Sequence, residues 1–190
     1  MENRIILITG PKHSGKSLCA RALGKITGEE VFDLDEIIEK ETGKSPRELF
    51  LDGQTIFRKA EALALERLFT GIGGDILSHP NPKIISSGGG LIDNSEAMEL
   101  ISRHEEIIIV YIDVPPETAW QRILNTASKD GKLPPFLDTT NPKETHLALH
   151  KRRAETYKVL AGITVAAENK SPEEIAEEII KEILKRFTAN

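Results

Sequence analysis

The sequence predicts an α/β fold built on a parallel sheet, and two observations carry the prediction. Short apolar runs rich in β-branched residues alternate with longer segments of helical period, which is the order of strands joined by crossover helices. The first apolar run also leads directly into a glycine-bounded Lys-Ser turn of phosphate-binding pattern. Five strands are expected: Ile5 to Thr9, Glu30 to Asp33, Lys83 to Ser86, Ile107 to Ile112 and Ile163 to Ala166, several bounded by Gly, Pro or Asp. Between them Lys16 to Ile26, Ile56 to Thr70, Ser95 to His104, Pro116 to Asn125 and Pro142 to Leu160 have helical patterns. A last helix follows Ser171-Pro172-Glu173-Glu174, which supplies an N-cap, a first-turn proline and acidic partners for the helix dipole; Lys185 and Arg186 complement its other end.

The 190 residues, 39% hydrophobic and 29% charged, suit one domain. A chain of this size buries enough surface to need neither disulfide nor metal for its core. Its single cysteine, Cys19, excludes an intramolecular disulfide framework and fits a reducing compartment. A net charge of −5 gives no general nucleic-acid surface. The longest strongly apolar run, Ile107 to Ile112, is far short of the roughly 20 residues that span a bilayer. Only Met1 to Arg4 precede the first strand, too few for a signal-peptide apolar region, so a cytoplasmic location is expected.

The strongest local signal is Gly10-Pro11-Lys12-His13-Ser14-Gly15-Lys16-Ser17, with Leu18 following, set between first strand and first helix. Its glycines let backbone N–H groups turn toward a phosphate chain, and the helix adds the positive end of its dipole. Lys16 would supply a point charge to the β- and γ-phosphates, and Ser17 a hydroxyl for Mg2+. In Phe32-Asp33-Leu34-Asp35, one carboxylate can serve the metal side and the other an acceptor hydroxyl. Asp35 could equally be no more than the cap of a helix running through Lys40. Arg58 and Glu61 stand i to i+3 on one helix face, a spacing that by itself usually means a surface ion pair.

Ser86-Ser87-Gly88-Gly89-Gly90 ends the third strand, where an open parallel sheet binds ligands and glycines admit close backbone approach. Arg153 precedes Tyr157 by four residues; beside Lys151 and Arg152, a solvated basic face is the ordinary reading. Ser128 to Thr145, polar and rich in Pro, Lys, Asp and Thr, is expected to form a loop or a lid over a site. Cys19 and Trp120 are expected to pack.

Taken in this order the five pieces resemble the shikimate kinase family over nearly the whole chain. The Asp-x-Asp after strand two, Gly53-x-x-x-Phe57-Arg58-x-x-Glu61 and the triple glycine narrow the resemblance beyond a phosphate loop alone. It implies a P-loop nucleoside-kinase-like fold with a five-stranded parallel sheet between helices, a substrate-binding helical region at about 34–62 and a mobile lid at about 126–146. The implied reaction moves the γ-phosphoryl group of ATP, with Mg2+, to the 3-hydroxyl of shikimate, in a cytoplasmic monomer. Lys16 and Ser17 would serve phosphate and metal, Asp33 the metal, and Asp35 the acceptor hydroxyl as its base. Arg58 and Arg153 would hold the substrate carboxylate, with Gly88, Gly89 and Gly90 lining that pocket and Glu61 steadying Arg58. Two arginines are also what planar, charge-assisted binding of a small carboxylate requires.

Family lids usually carry an arginine just before Pro-Leu; here Gly131-Lys132-Leu133-Pro134-Pro135-Phe136-Leu137 has none. Lys132 is the nearest cation and the expected catalytic substitute, without a guanidinium fork. Gln54 stands where the third motif commonly has glutamate, Arg122 could reach inward, and Asn169 to Pro172 falls where the family frames adenine, or is simply a helix cap. The altered lid leaves open a kinase for another small hydroxy acid, such as a gluconate-like sugar acid, or a nucleotide-binding pseudo-kinase.

Overall fold

The computed structural model describes residues 4–70 and 84–188. Five strands, β1 (Ile5–Thr9), β2 (Val31–Asp33), β3 (Ile84–Ser86), β4 (Ile107–Asp113) and β5 (Ile163–Ala166), form one sheet in the order β2-β3-β1-β4-β5, with every adjacent pair parallel. The expected start of the third strand, Lys83, lies outside the described residues. Around the sheet run α1 (Lys16–Thr27), α2 (Leu34–Thr42), α3 (Pro46–Asp52), α4 (Gln54–Thr70), α5 (Ser95–Ser102), α6 (Pro116–Asp130), α7 (Pro142–Leu160) and α8 (Pro172–Thr188). No helix among the described residues is long and apolar enough to cross a membrane.

β1 is buried on both faces because alternate residues feed separate cores. Ile6 and Ile8 join residues of α1 and α8, including Leu23, Ala176 and Ile179. Ile5 and Leu7 point the other way, toward Ile38 of α2, Leu65 of α4 and Ile101 of α5. Cys19 is buried in the first of these clusters, in the packing role expected of it. Both cores close onto β1, whose carboxyl end opens into the Gly10–Gly15 loop. Since β3 lies beside β1, the loops after these two strands are neighbours despite their separation in sequence.

Two helices depart from expectation. α3 is not among the helices marked by residue pattern, although it falls inside the helical region expected at about 34–62 and Ser45 and Glu48 form a reciprocal capping box at its start, legible in Ser45-Pro46-Arg47-Glu48. α6 continues to Asp130 rather than ending near Asn125, and Gly131 terminates it in the left-handed region at φ 70°. The irregular part of the stretch before α7 therefore shrinks to residues 131–141. It contains a 3-10 turn at Pro135–Leu137, whose Leu137 packs with Trp120 and Ile123 of α6. Ser171 and Glu174 cap α8 reciprocally, Ser171 N–H donating to the Glu174 carboxylate at 2.7 Å and Glu174 N–H to Ser171 Oγ at 3.2 Å. That gives the Asn169–Pro172 segment its capping function.

Candidate active site

A cleft of about 860 Å3 lies beyond the carboxyl ends of β1, β2 and β3. On its phosphate side Gly15 takes φ 97°, a left-handed conformation that turns the chain into α1. His13 also has positive φ, 61°. Lys16 is buried beneath the loop with Nζ donating to Pro11 O at 2.9 Å. Burial lowers its pKa to about 8; the neighbouring Lys12 charge adds to the fall, and Asp35 and Asp33 oppose it. Lys12, His13, Gly15, Lys16, Ser17 and Leu18 line the cleft, while Gly10, Pro11 and Ser14 support the loop from below. Arg122 of α6 does reach inward: Nη1 donates to the carbonyls of His13 and Ser14 at 3.2 and 3.3 Å, joining the helix before the lid to the phosphate loop.

The two carboxylates separate in role. Ser17 Oγ donates to Asp33 Oδ2 at 2.6 Å, and Asp33 Oδ1 accepts the Asp35 N–H at 3.1 Å. Asp33, and not Asp35, is thus the N-cap of α2, correcting the reading of Asp35 as the cap. Asp35, one residue inside the helix, faces the cleft. Burial raises its pKa, with the Asp33 charge adding to the rise against the pull of Lys16 and Lys12. The result is a more basic carboxylate close to the phosphate lysine.

The opposite side of the cleft is assembled around the loop after β3. Each of its three glycines has a different close neighbour. A Cβ on Gly88 would come within 3.0 Å of Glu61 Oε1 and 3.2 Å of Asp35 Oδ1. One on Gly89 would lie 2.7 Å from the backbone nitrogen of Lys12, so the two loops can touch only if Gly89 has no side chain. One on Gly90 would meet Arg153 Nη2 at 3.0 Å and Arg58 Nη2 at 3.1 Å. Arg58 and Arg153, carried by α4 and α7, therefore converge on the same glycine.

Arg58 is not a surface ion pair. Its Nη1 donates to Glu61 Oε2 at 2.9 Å and to Gly90 O at 2.8 Å, and Glu61 is fully buried. Asn94 Nδ2 donates both to Glu61 Oε2 at 2.9 Å and to Arg58 O at 2.8 Å. Burial raises the Glu61 pKa, against the lowering effect of its bonds to Asn94 and Arg58. Arg153 likewise departs from the solvated face expected from its neighbours: Nη1 donates to Gly89 O at 3.1 Å, while Nε and Nη2 reach Asp93. Sequence reasoning missed Asp93 and Asn94. They sit just past the triple glycine, in a stretch whose only local signal is an Asn before a helix.

Lys132 lines the cleft with its side chain exposed. The backbone of the 131–141 segment is held by Arg47 of α3, whose Nη1 donates to Leu133 O at 2.9 Å. Gln54, at the start of α4, also lines the cleft.

A phosphate loop over a parallel sheet, a basic carboxylate beside it and two convergent arginines define a P-loop phosphotransferase acting on a small anionic acceptor. A family model described as shikimate kinase matches residues 12–184. Shikimate kinases of Actinobacillus pleuropneumoniae serotype 5b and Thermobifida fusca are 31% and 33% identical to the chain, each over 181 residues. The alignments cover 95% of both chains in the first case and 94% of both in the second. A solved shikimate kinase from Acinetobacter baumannii in complex with shikimate superimposes with a TM-score of 0.80 at 27% identity, covering 96% of this chain and 94% of its own. The chain belongs to the shikimate kinase family.

Proposed function

We infer that the chain transfers the γ-phosphoryl group of ATP to the 3-hydroxyl of shikimate, giving shikimate 3-phosphate and ADP. The observation that carries this reading is the placement of Arg58 and Arg153 on Gly90 in the same cleft as Lys16 and Asp35. Two guanidiniums can bind the acceptor carboxylate, while Asp35 accepts the proton of the hydroxyl. As that oxygen bonds to the γ-phosphorus, the bond from phosphorus to the β–γ bridging oxygen breaks and ADP leaves. Lys16 and the loop N–H groups oppose the charge spread over the transferred group.

The Ser17 hydroxyl and Asp33 carboxylate suit a hard cation that takes oxygen ligands and keeps much of its water. These two side chains would hold Mg2+. When bound, that ion would supply charge neutralisation to the phosphate groups. Backbone N–H groups of Lys12, His13, Gly15, Lys16, Ser17 and Leu18, all of which line the cleft, would cradle the phosphates. We assign the acceptor region to about 34–62, with Gly88, Gly89 and Gly90 completing its floor, and the lid to about 126–146, closing to exclude water and bring Lys132 toward the transferred group. The lone buried Cys19 supports a cytoplasmic, reducing location.

The deciding experiment is ADP release from ATP and Mg2+ with and without shikimate, extended to a panel of small hydroxy acids. Turnover that rises on adding shikimate is expected. ATP binding with no response to shikimate, but with turnover of another acid, would overturn the acceptor assignment.

A further inference from the structure

Consecutive residues on a helix project about 100° apart, so Arg152 and Arg153 of α7 would ordinarily face different surroundings. Both nevertheless reach one carboxylate. Asp93 ends the 3-10 turn Leu91–Asp93, its N–H bonded to Gly90 O at 2.9 Å, and its side chain is 18% exposed. Arg152 approaches from the solvent side, Nη1 on Oδ1 at 2.8 Å and Nη2 on Oδ2 at 3.0 Å. Arg153, 12% exposed, places Nε and Nη2 on Oδ2 at 2.9 and 2.7 Å. Burial alone would raise the Asp93 pKa, but the bonds from Arg152 and the charge and bonds of Arg153 outweigh it and keep the carboxyl below its ordinary value.

The two acceptor arginines are therefore oriented in different ways. Arg58 is held by Glu61 and Gly90 O, and Glu61 is held in turn by Asn94. Arg153 is held by Asp93 and Gly89 O. Its three bonded nitrogens use three of the five guanidinium N–H groups, leaving one on each η nitrogen for a ligand. Formal charge is also apportioned: Arg58 and Glu61 cancel, while Arg152 and Arg153 against Asp93 leave one positive charge.

We propose that Asp93 is a positioning residue for the acceptor carboxylate, fixing the Arg153 guanidinium against Gly90. The proposal rests on the functional reading above and extends it to how the second acceptor arginine is held. Asp93 acts through Arg153 and touches no reacting atom.

The test is steady-state kinetics of Asp93→Asn with shikimate and ATP varied separately. The expected result is an acceptor KM raised about tenfold or more, kcat within about threefold and the ATP KM unchanged, the pattern of lost ground-state binding. Asp93→Glu, which keeps the charge, should recover part of the loss. An acceptor KM that stays the same would overturn the proposal. An acceptor KM that falls would overturn it too, since Asp93 would then be a competitor occupying the carboxylate's place. A joint fall in kcat and both affinities with a lowered melting temperature would reduce Asp93 to a structural residue and also overturn it.

A second measurement needs no variant. In unmutated protein with 15N-labelled arginine, the Arg153 Nε–H signal should exchange slowly with solvent, and rapid exchange would refute the tether. If the unmutated chain turned over no shikimate, the functional reading would fall, and the exchange rate alone would judge the tether.

Discussion

Ser17 and Asp33 share a hydrogen bond of 2.6 Å that ties the start of α1 to the end of β2. The other oxygen of the same carboxylate caps α2. One side chain thus combines a candidate metal function with a structural one, and substitution can separate them. Asp33→Asn keeps a capping oxygen but loses the charge; it should keep its melting temperature within a few degrees while requiring more Mg2+ for half-maximal rate. Asp33→Ala loses both and should cost a further ~1 kcal/mol of stability, the usual value of an N-cap. Thermal melts and Mg2+ titrations of rate would show it.

Asp35 should trade activity for stability. Its pKa is raised chiefly by burial, so the folded protein binds its proton more tightly than the unfolded chain. The stabilisation from that proton is present below the ordinary carboxylate range and lost as pH rises through the folded value. At neutral pH the charge is therefore a cost. Asp35→Asn should remove the base, lowering kcat by about 100-fold or more, and raise the melting temperature at pH 7. A variant that lost activity and also melted lower would contradict this electrostatic account.

Lys16 has the opposite chemistry. Its pKa of about 8 lies below the ordinary lysine value, so between about pH 8 and 10.5 the unfolded chain binds more protons than the fold, and stability rises with pH. The charged, buried ammonium costs the nucleotide-free protein about 3 kcal/mol at neutral pH. Lys16→Met should abolish most turnover and lose the part of the stability rise between pH 8 and 10 that belongs to this residue. Comparing the melting profiles of the two proteins over that range isolates the effect.

The glycines after β3 should fail in different ways. Gly89→Ala drives a Cβ against the Lys12 backbone, which cannot swing aside; a loss of about 1–3 kcal/mol is expected, with ATP and acceptor binding both weakened. Gly90→Ala meets only the ends of two arginine side chains. Its melting temperature should change little, while the acceptor KM rises. Equal melting temperatures for the two variants would show that the loop contact is soft.

For the lid, Lys132→Ala should lower kcat by about tenfold and leave the acceptor KM alone, as expected of a charge felt mainly in the transition state. Lys132→Arg should be at least as active as the unmutated protein. A rate unaffected by Lys132→Ala would remove this residue from the chemistry.

The phosphate loop and the long apolar runs were legible because their signals are local: a fixed spacing and a strand followed by a helix. The roles of Asp33 and Asp35 were not, because cap and base are both carboxylates near a helix start and differ only by which oxygen meets which N–H. Arg58 and Arg153 read as surface charges when taken with their neighbours alone. Their burial depends on Asp93, Asn94 and Gly90, which the crossover through α4 and the return along α7 bring beside them. The capping box of Ser45 and Glu48 is local and readable, yet the surrounding stretch has too short an apolar period to mark α3 as a separate helix within the helical region expected at about 34–62.

The contact between Gly89 and the Lys12 backbone sets the separation of the two halves of the cleft by main chain packed on main chain. The distance between the loops after β1 and β3 is therefore a property of the sheet, in which β3 lies against β1, and not of any side chain that lines the cleft. Replacing Arg58 should therefore change how an acid is held without moving the two loops relative to each other. Acceptor binding and loop spacing are, in this architecture, separately adjustable.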